Sequence, residues 1–184
     1  PQVLMGQRGS KAAFMPNKFV FPGGAVDTAD STIPLAQPLT DKCHASLQQD
    51  STGPKPETLA IAAIRELWEE TGLILGAREP WNDAPEDWRG FADAGFRPTA
   101  KNMYFFFRAI TPPGPSRRFD ARFFLVNADQ LSGDLDDFSN ASDELSHLQW
   151  VSLNEARSLN LPFITSVVLG CLLYTSDAAD ELSR

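Results

Sequence analysis

The chain has 184 residues, 42% of them hydrophobic and 13 of them Phe, enough for one domain with a buried core. A formal charge of -8, with no Lys/Arg block interleaved with aromatics, argues against a nucleic-acid-binding surface. No apolar run reaches the roughly eighteen residues of a membrane-spanning helix, and Cys43 and Cys171 give neither a disulfide framework nor, even with His44, a zinc pattern.

The chain opens at Pro1, without a Met or a signal-peptide pattern and apparently inside a strand. An N-terminal piece is therefore expected to be missing, and with it any targeting signal; the expected location is cytoplasmic. Residues 3–8 read as a strand, 9–17 as a loop and 18–21 as a second short strand that ends in Pro22-Gly23-Gly24, a sharp turn whose backbone can approach a ligand closely. Residues 25–56 are rich in Asp, Ser, Thr, Gln and Pro, with a short helix expected over 41–49 capped by Asp41.

Residues 57–73 read as a helix. Pro56 suits its first turn, Glu57 suits the positive end of its dipole, and Gly72 can take the left-handed conformation that stops it. Ala60, Ile61, Ala63, Ile64, Leu67 and Trp68 recur at spacings of three and four and draw an apolar face. Glu66, Glu69 and Glu70 fall within roughly a third of the helix circumference, beside that face. Each like-charge pair costs roughly 0.2 to 0.5 kcal/mol, the helix C-terminus also disfavours anions, and only Arg65 is near enough to offset them. Two readings stand: a solvated acidic face, or a site for a hard cation such as Mg2+ that keeps waters for a phosphorylated substrate.

Further on, 73–75 is expected as a strand, 76–95 as a loop, and 101–110 as a strand from its aromatic content. Residues 118–126 alternate as another strand, 127–143 form an acidic loop, and 145–151 a final strand that carries His147. Ser152 or Asn154 then caps a short helix through Arg157, and a last helix starts over 161–170.

Arg65-Glu66-Leu67-Trp68-Glu69-Glu70-Thr71-Gly72-Leu73 resembles the core of the Nudix box, and Glu57 stands eight positions before Arg65, where the upstream box glutamate is expected. The box glycine belongs six residues before that glutamate, but Ser51 is there, and the glycine that follows a Phe-Pro-Gly is Gly24. Residues 25–56 thus read as an insertion inside the box. A box interrupted in this way is similar to the coenzyme A / acyl-CoA diphosphatase subfamily, as are residues 14–31 and 118–124. The resemblance spans about 3–170. Residues 171–181 resemble instead the translation of a common transposon-type sequencing adapter, so 171–184 is expected to be a non-native tail; it carries three acids and one base, and without it the charge is -6.

The resemblance implies an α/β chain, a Nudix-type α/β/α sandwich with a mixed β-sheet, truncated at both ends and occupying 1–170. It implies hydrolysis of the diphosphate of coenzyme A or acyl-CoA with Mg2+ or Mn2+, giving 3′,5′-ADP and (acyl-)phosphopantetheine. Other nucleoside diphosphate derivatives on the same box, or a Nudix-fold binding module without catalysis, are the alternatives. The partner expected is a small-molecule nucleotide, with no nucleic acid and no membrane; the sequence leaves the oligomeric state open. Glu66, Glu69 and Glu70 are the expected metal ligands, with the Gly24 carbonyl as a further one, and Arg65 is expected to orient a glutamate such as Glu57. Glu144 is the candidate later carboxylate, in competition with Asp134, Asp136 and Asp137. Arg8, Lys11, Lys18, Arg118 and Arg122 are the cations available for a nucleotide phosphate.

Overall fold

The computed structural model describes residues 1–12, 15–114 and 118–182, with side chains through Thr175; Phe14, which opens one of the stretches similar to the subfamily, lies outside the described residues. In chain order the elements are β1 (Gln2–Arg8), β2 (Phe19–Val20), α1 (Asp41–Gln48), α2 (Pro56–Thr71), β3 (Gly76–Arg78), α3 (Arg89–Asp93) and β4 (Phe96–Pro98). Then follow β5 (Tyr104–Ile110), β6 (Asp120–Leu125), β7 (Leu145–Ser152), α4 (Leu153–Ala156) and α5 (Phe163–Leu182), with single turns of 3-10 helix at Thr28–Thr32, Glu86–Trp88 and Ala128–Gln130. The fold is mixed α/β, as expected. Its ladders are antiparallel, and an isolated bridge between Gln37 and Thr99 is parallel. No described helix is long and apolar enough to cross a membrane.

The chain forms two compact units, one from Pro1–Pro22 with Ala141 onward, the other from Gly23–Asn140. In the first, β1 is the centre of a three-stranded sheet ordered β2-β1-β7, and a register shift falls between Met5 and Gln7. Met5, Val151, Leu153, Ala156 and Leu169 form its core, and Ser152 caps α4 by accepting the Glu155 N–H, one of the two caps expected.

The second unit is built around α2. Its start and stop are those the local chemistry dictates: Pro56 stands in the first turn, and Gly72, at φ 77°, donates its N–H to the Trp68 carbonyl at 2.7 Å. Leu59, Ala60, Ile61 and Ile64 of α2 pack with Leu39, Cys43 and Leu47 around α1. The cap of α1 is Thr40, one residue before the Asp41 expected, because Thr40 Oγ1 accepts the Cys43 N–H.

Residues 73–95 depart from expectation. Leu73 and Leu75 are buried core residues outside any strand, Ile74 makes an isolated bridge with Ser132, and the strand begins only at Gly76. The expected loop holds β3, a 3-10 turn and α3, and β4 closes the excursion as an antiparallel partner of β3. What orders so short a stretch is aromatic burial: Trp88 stacks on Trp68 of α2 with centroids 6.1 Å apart, and Phe91 meets both rings edge-on. In the β5–β6 hairpin, Phe105 and Phe124 pack against the core of this unit.

Candidate active site

Four side chains of the last two turns of α2, Arg65, Glu66, Glu69 and Glu70, converge with the Gly23-Gly24 turn and with the 3-10 turn at Thr28–Thr32. Arg65 is the hub. Its Nε donates to Asp30 Oδ1 at 2.9 Å, and Nη2 to Asp30 Oδ2 at 3.2 Å and to the Ala25 carbonyl at 2.9 Å. Its Nη1 donates to Glu66 Oε1 at 2.9 Å and Glu69 Oε2 at 3.0 Å. A guanidinium has five N–H groups, and five acceptor oxygens surround this one. Asp30, hydrogen bonded to it and 2% exposed, holds the guanidinium well above its ordinary pKa; burial opposes this, and Glu66 adds to it.

Asp30 is itself fixed by a capping box. Its Oδ2 accepts the Asp27 N–H at 2.7 Å, and Asp27 Oδ1 accepts the Ala29 N–H at 2.9 Å. Glu57, the partner expected for Arg65, instead faces His44 Nε2 at 3.1 Å. Asp30 also stands six residues after Gly24, the spacing expected of the upstream box carboxylate. An aspartate thus holds the place where the box pattern puts a glutamate.

The glycine turn meets the carboxylates directly. A Cβ on Gly24 would stand 2.4 Å from the Glu66 carboxyl carbon, a distance that real Cβ atoms do not show. Gly23, at φ 150°, donates its N–H to Glu70 Oε2 at 2.7 Å, and Glu70 is 3% exposed. Both box halves therefore meet within one compact unit. Their donors, carboxylates beside exposed backbone, are the hard oxygens that Mg2+ and Mn2+ select, so the chemistry of the residues fits such an ion. Among the described residues no three His, Cys, Asp or Glu side chains converge tightly enough to form a ready cage, and Arg65 stands as the cation among the acids.

The other expected residues are placed as follows. Glu144 is exposed in the turn just before β7. Asp134 accepts the Asp136 N–H, and Asp137 accepts the Ser139 N–H, which holds the Asp137 carboxyl below its usual range. Lys18 donates to Asn160 Oδ1 at 2.6 Å and to the Leu161 carbonyl. Arg8, at the end of β1, has a buried Nε with no acceptor. Arg118 is exposed and reaches the Thr111 carbonyl, whereas Arg122, its side chain 6% exposed, is turned onto Asp120 and Ser51. Arg108, which the sequence did not single out, grips Asp120 through two bonds of 2.8 and 2.9 Å and reaches the carbonyls of Gln49 and Asp50. It ties the end of the interrupting segment to the hairpin.

With this geometry in hand, similarity to known proteins decides the family. The NUDIX domain profile matches residues 52–167, more than half of the chain. The chain belongs to the Nudix family. A Caenorhabditis elegans protein carried under the name nudix hydrolase 7 is 29% identical over 167 residues, covering 84% of this chain and 48% of its own length. Acyl-coenzyme A diphosphatase NUDT19 of Xenopus laevis is 33% identical over 102 residues, which is 44% of this chain and 27% of that protein. The chain thus spans about half or less of the length of the curated relatives it matches. A crystal structure of a Nudix hydrolase from Alicyclobacillus acidocaldarius shares the fold, with a TM-score of 0.63 at 24% identity over 92% of this chain and 82% of that one.

Proposed function

We propose that the chain is a metal-dependent hydrolase of the diphosphate in a nucleoside diphosphate derivative and, more narrowly, that the derivative is coenzyme A or an acyl-CoA, with 3′,5′-ADP and (acyl-)phosphopantetheine as products. The observation that carries the reaction class is the seating of Glu66 and Glu70 against the Gly23-Gly24 turn, with Arg65 fixed by Asp30. A bound Mg2+ or Mn2+ supplies neutralisation of phosphoryl charge and a water placed for in-line attack. Glu66, Glu69 and Glu70, with the Gly24 carbonyl, would hold it.

In this reading Arg65 orients Glu66 and Glu69, and the Gly23 N–H fixes one oxygen of Glu70. Glu144, exposed and just ahead of β7, is the proposed later carboxylate. Of the cations proposed for the nucleotide phosphates, Arg118 is exposed, Arg8 and Arg122 each keep a buried Nε without an acceptor, and Lys18 and Arg122 must first exchange present partners. We also take 1–170 as the Nudix domain, with the interruption of the box confined to 31–56 since Asp30 fills the upstream position, and 171–184 as foreign.

The broader class is the better supported. The family match runs over 52–167, whereas similarity to the two proteins named acyl-coenzyme A diphosphatase covers 44% and 40% of the chain. ADP-ribose, a dinucleotide or a nucleoside triphosphate is therefore the alternative substrate, and a non-catalytic binding module the alternative of another class. Incubation with Mg2+ and each substrate, followed by product separation, discriminates them. Preference for ADP-ribose over CoA would remove the narrower reading. Turnover unchanged in Glu70→Gln would remove the catalytic site.

A further inference from the structure

The turn that carries Asp30 is only five residues long, Thr28–Thr32, and a single helical turn fixes more chain freedom than its hydrogen bonds return. Two residues outside it hold it in place. At its end Ile33 is buried in the core around α2. At its start Asp27 is the N-cap, with extended backbone at φ -93° and ψ 154°, and its Oδ1 accepts the Ala29 N–H at 2.9 Å. Asp30 returns the bond: its Oδ2 accepts the Asp27 N–H at 2.7 Å while also taking Arg65 Nη2. The Ser31 and Thr32 hydroxyls are spent on the carbonyls of Thr28 and Ala29, so neither supplies a cap. Asp27 is itself exposed and adds nothing to the core.

The chain from the glycine turn to Asp30 is tied at both ends to one guanidinium. Arg65 Nη2 takes the Ala25 carbonyl at 2.9 Å, and Nε and Nη2 take the two Asp30 oxygens. Val26 alone stands between the tied carbonyl and the cap. A cap that fails therefore loosens Asp30 at one end of this stretch and the Gly24 carbonyl, next to Ala25, at the other.

We propose that Asp27 is a positioning residue of the carboxylate site: as N-cap it holds Asp30 on Arg65, Arg65 holds Glu66 and Glu69, and the same closed stretch aims the Gly24 carbonyl. The proposal rests on the reading of that site as a metal centre.

Three variants separate the cap from the charge. Asp27→Ser keeps a capping oxygen without the charge, Asp27→Glu keeps the charge on a side chain that is not a good cap, and Asp27→Ala loses both. Each is read twice on the full chain. In EDTA, water exchange of the Arg65 Nε–H signal in nitrogen-15 NMR, assigned by its loss in Arg65→Lys, reports the bond to Asp30 with no metal present. With Mn2+, electron paramagnetic resonance reports affinity. In Asp27→Ala and Asp27→Glu the Nε–H should exchange at least about threefold faster and Mn2+ affinity should fall about 3- to 30-fold, the range of losing an N-cap. Asp27→Ser should stay within about twofold of the parent in both. An Arg65 signal unchanged in Asp27→Ala would overturn the proposal and leave the metal reading untouched. Mn2+ affinity kept in Asp27→Glu and lost in Asp27→Ser would overturn it in favour of a charge acting directly on the ion. A parent chain that binds no Mn2+, with the Arg65 signal responding as expected, would instead remove the metal reading, and the link from cap to metal would fall with it.

Discussion

Asp30→Asn tests the hub of the site. Asp30 Oδ2 takes both Arg65 Nη2 and the Asp27 N–H, and Oδ1 takes Arg65 Nε. An asparagine keeps the shape, but its NH2 must face donors whichever way it is turned. Removing one partner of a buried ion pair costs about 3 to 5 kcal/mol. Arg65 keeps Glu66, Glu69 and the Ala25 carbonyl, which places the loss near the lower end, about 3 kcal/mol. For a chain of 184 residues this is a fall of roughly 6 to 12 °C in melting temperature. Because Arg65 also orients two of the acids, Mn2+ binding followed by electron paramagnetic resonance should weaken about 10- to 100-fold, the usual effect of losing a group that positions metal ligands. The paired variant is Glu57→Gln. Its contact with His44 lies between side chains 44% and 35% exposed, so screening limits the cost to under about 1 kcal/mol. Urea denaturation of the two variants decides: equal losses, or a larger loss in Glu57→Gln, would refute the assignment of Asp30 as the box carboxylate.

Gly24→Ala places a methyl 2.4 Å from the Glu66 carboxyl; the flexible side chain swings aside, so stability should change by under about 1 kcal/mol while Mn2+ affinity and turnover fall at least tenfold. Glu70→Gln should lower turnover of the preferred diphosphate substrate by about two orders of magnitude or more at saturating Mg2+, read by product chromatography. Burial raises the Cys43 thiol above its ordinary pKa, so in a Cys171→Ser background it should react slowly with a thiol reagent at neutral pH and quickly in urea. Arg108, hydrogen bonded to Asp120, holds that carboxyl below its usual value of 3.8. The stability this gives is present above pH 3.8 and is lost as pH falls below it, so Asp120→Asn should lose less on going from pH 5 to pH 3; the carboxylate is 39% exposed, which limits the difference to a few tenths of a kcal/mol, measured by urea denaturation.

Much of the framework was legible in local sequence. The strands at β1, β2, β5, β6 and β7 follow from runs of apolar and aromatic residues, and the Ser152 cap of α4 was one of two candidates. The expected loop over 76–95 was not legible as a strand, a 3-10 turn and a helix, nor was β4 just beyond it, because elements of three to five residues carry no periodicity. They are ordered by contacts of Trp88 and Phe91 with Trp68. Nor could spacing rank the cations: Arg122 and Arg118 lie close together in sequence, yet one is enclosed by Asp120 and Ser51 and the other is exposed.

The sequence by itself determined α2, from Pro56 to its stop at Gly72, and with it the face that carries Glu66, Glu69 and Glu70. Those are properties of consecutive residues, fixed by helical geometry and glycine's freedom at φ 77°. Which acid holds Arg65 was decided only by the tertiary structure. Asp30 lies 35 residues before its partner, and Glu57 lies eight. The nearer acid loses because Pro56 and Thr71 bound one rigid helix on which Glu57 faces His44, while the chain before it folds back to carry Asp30 and the glycine turn onto the opposite end.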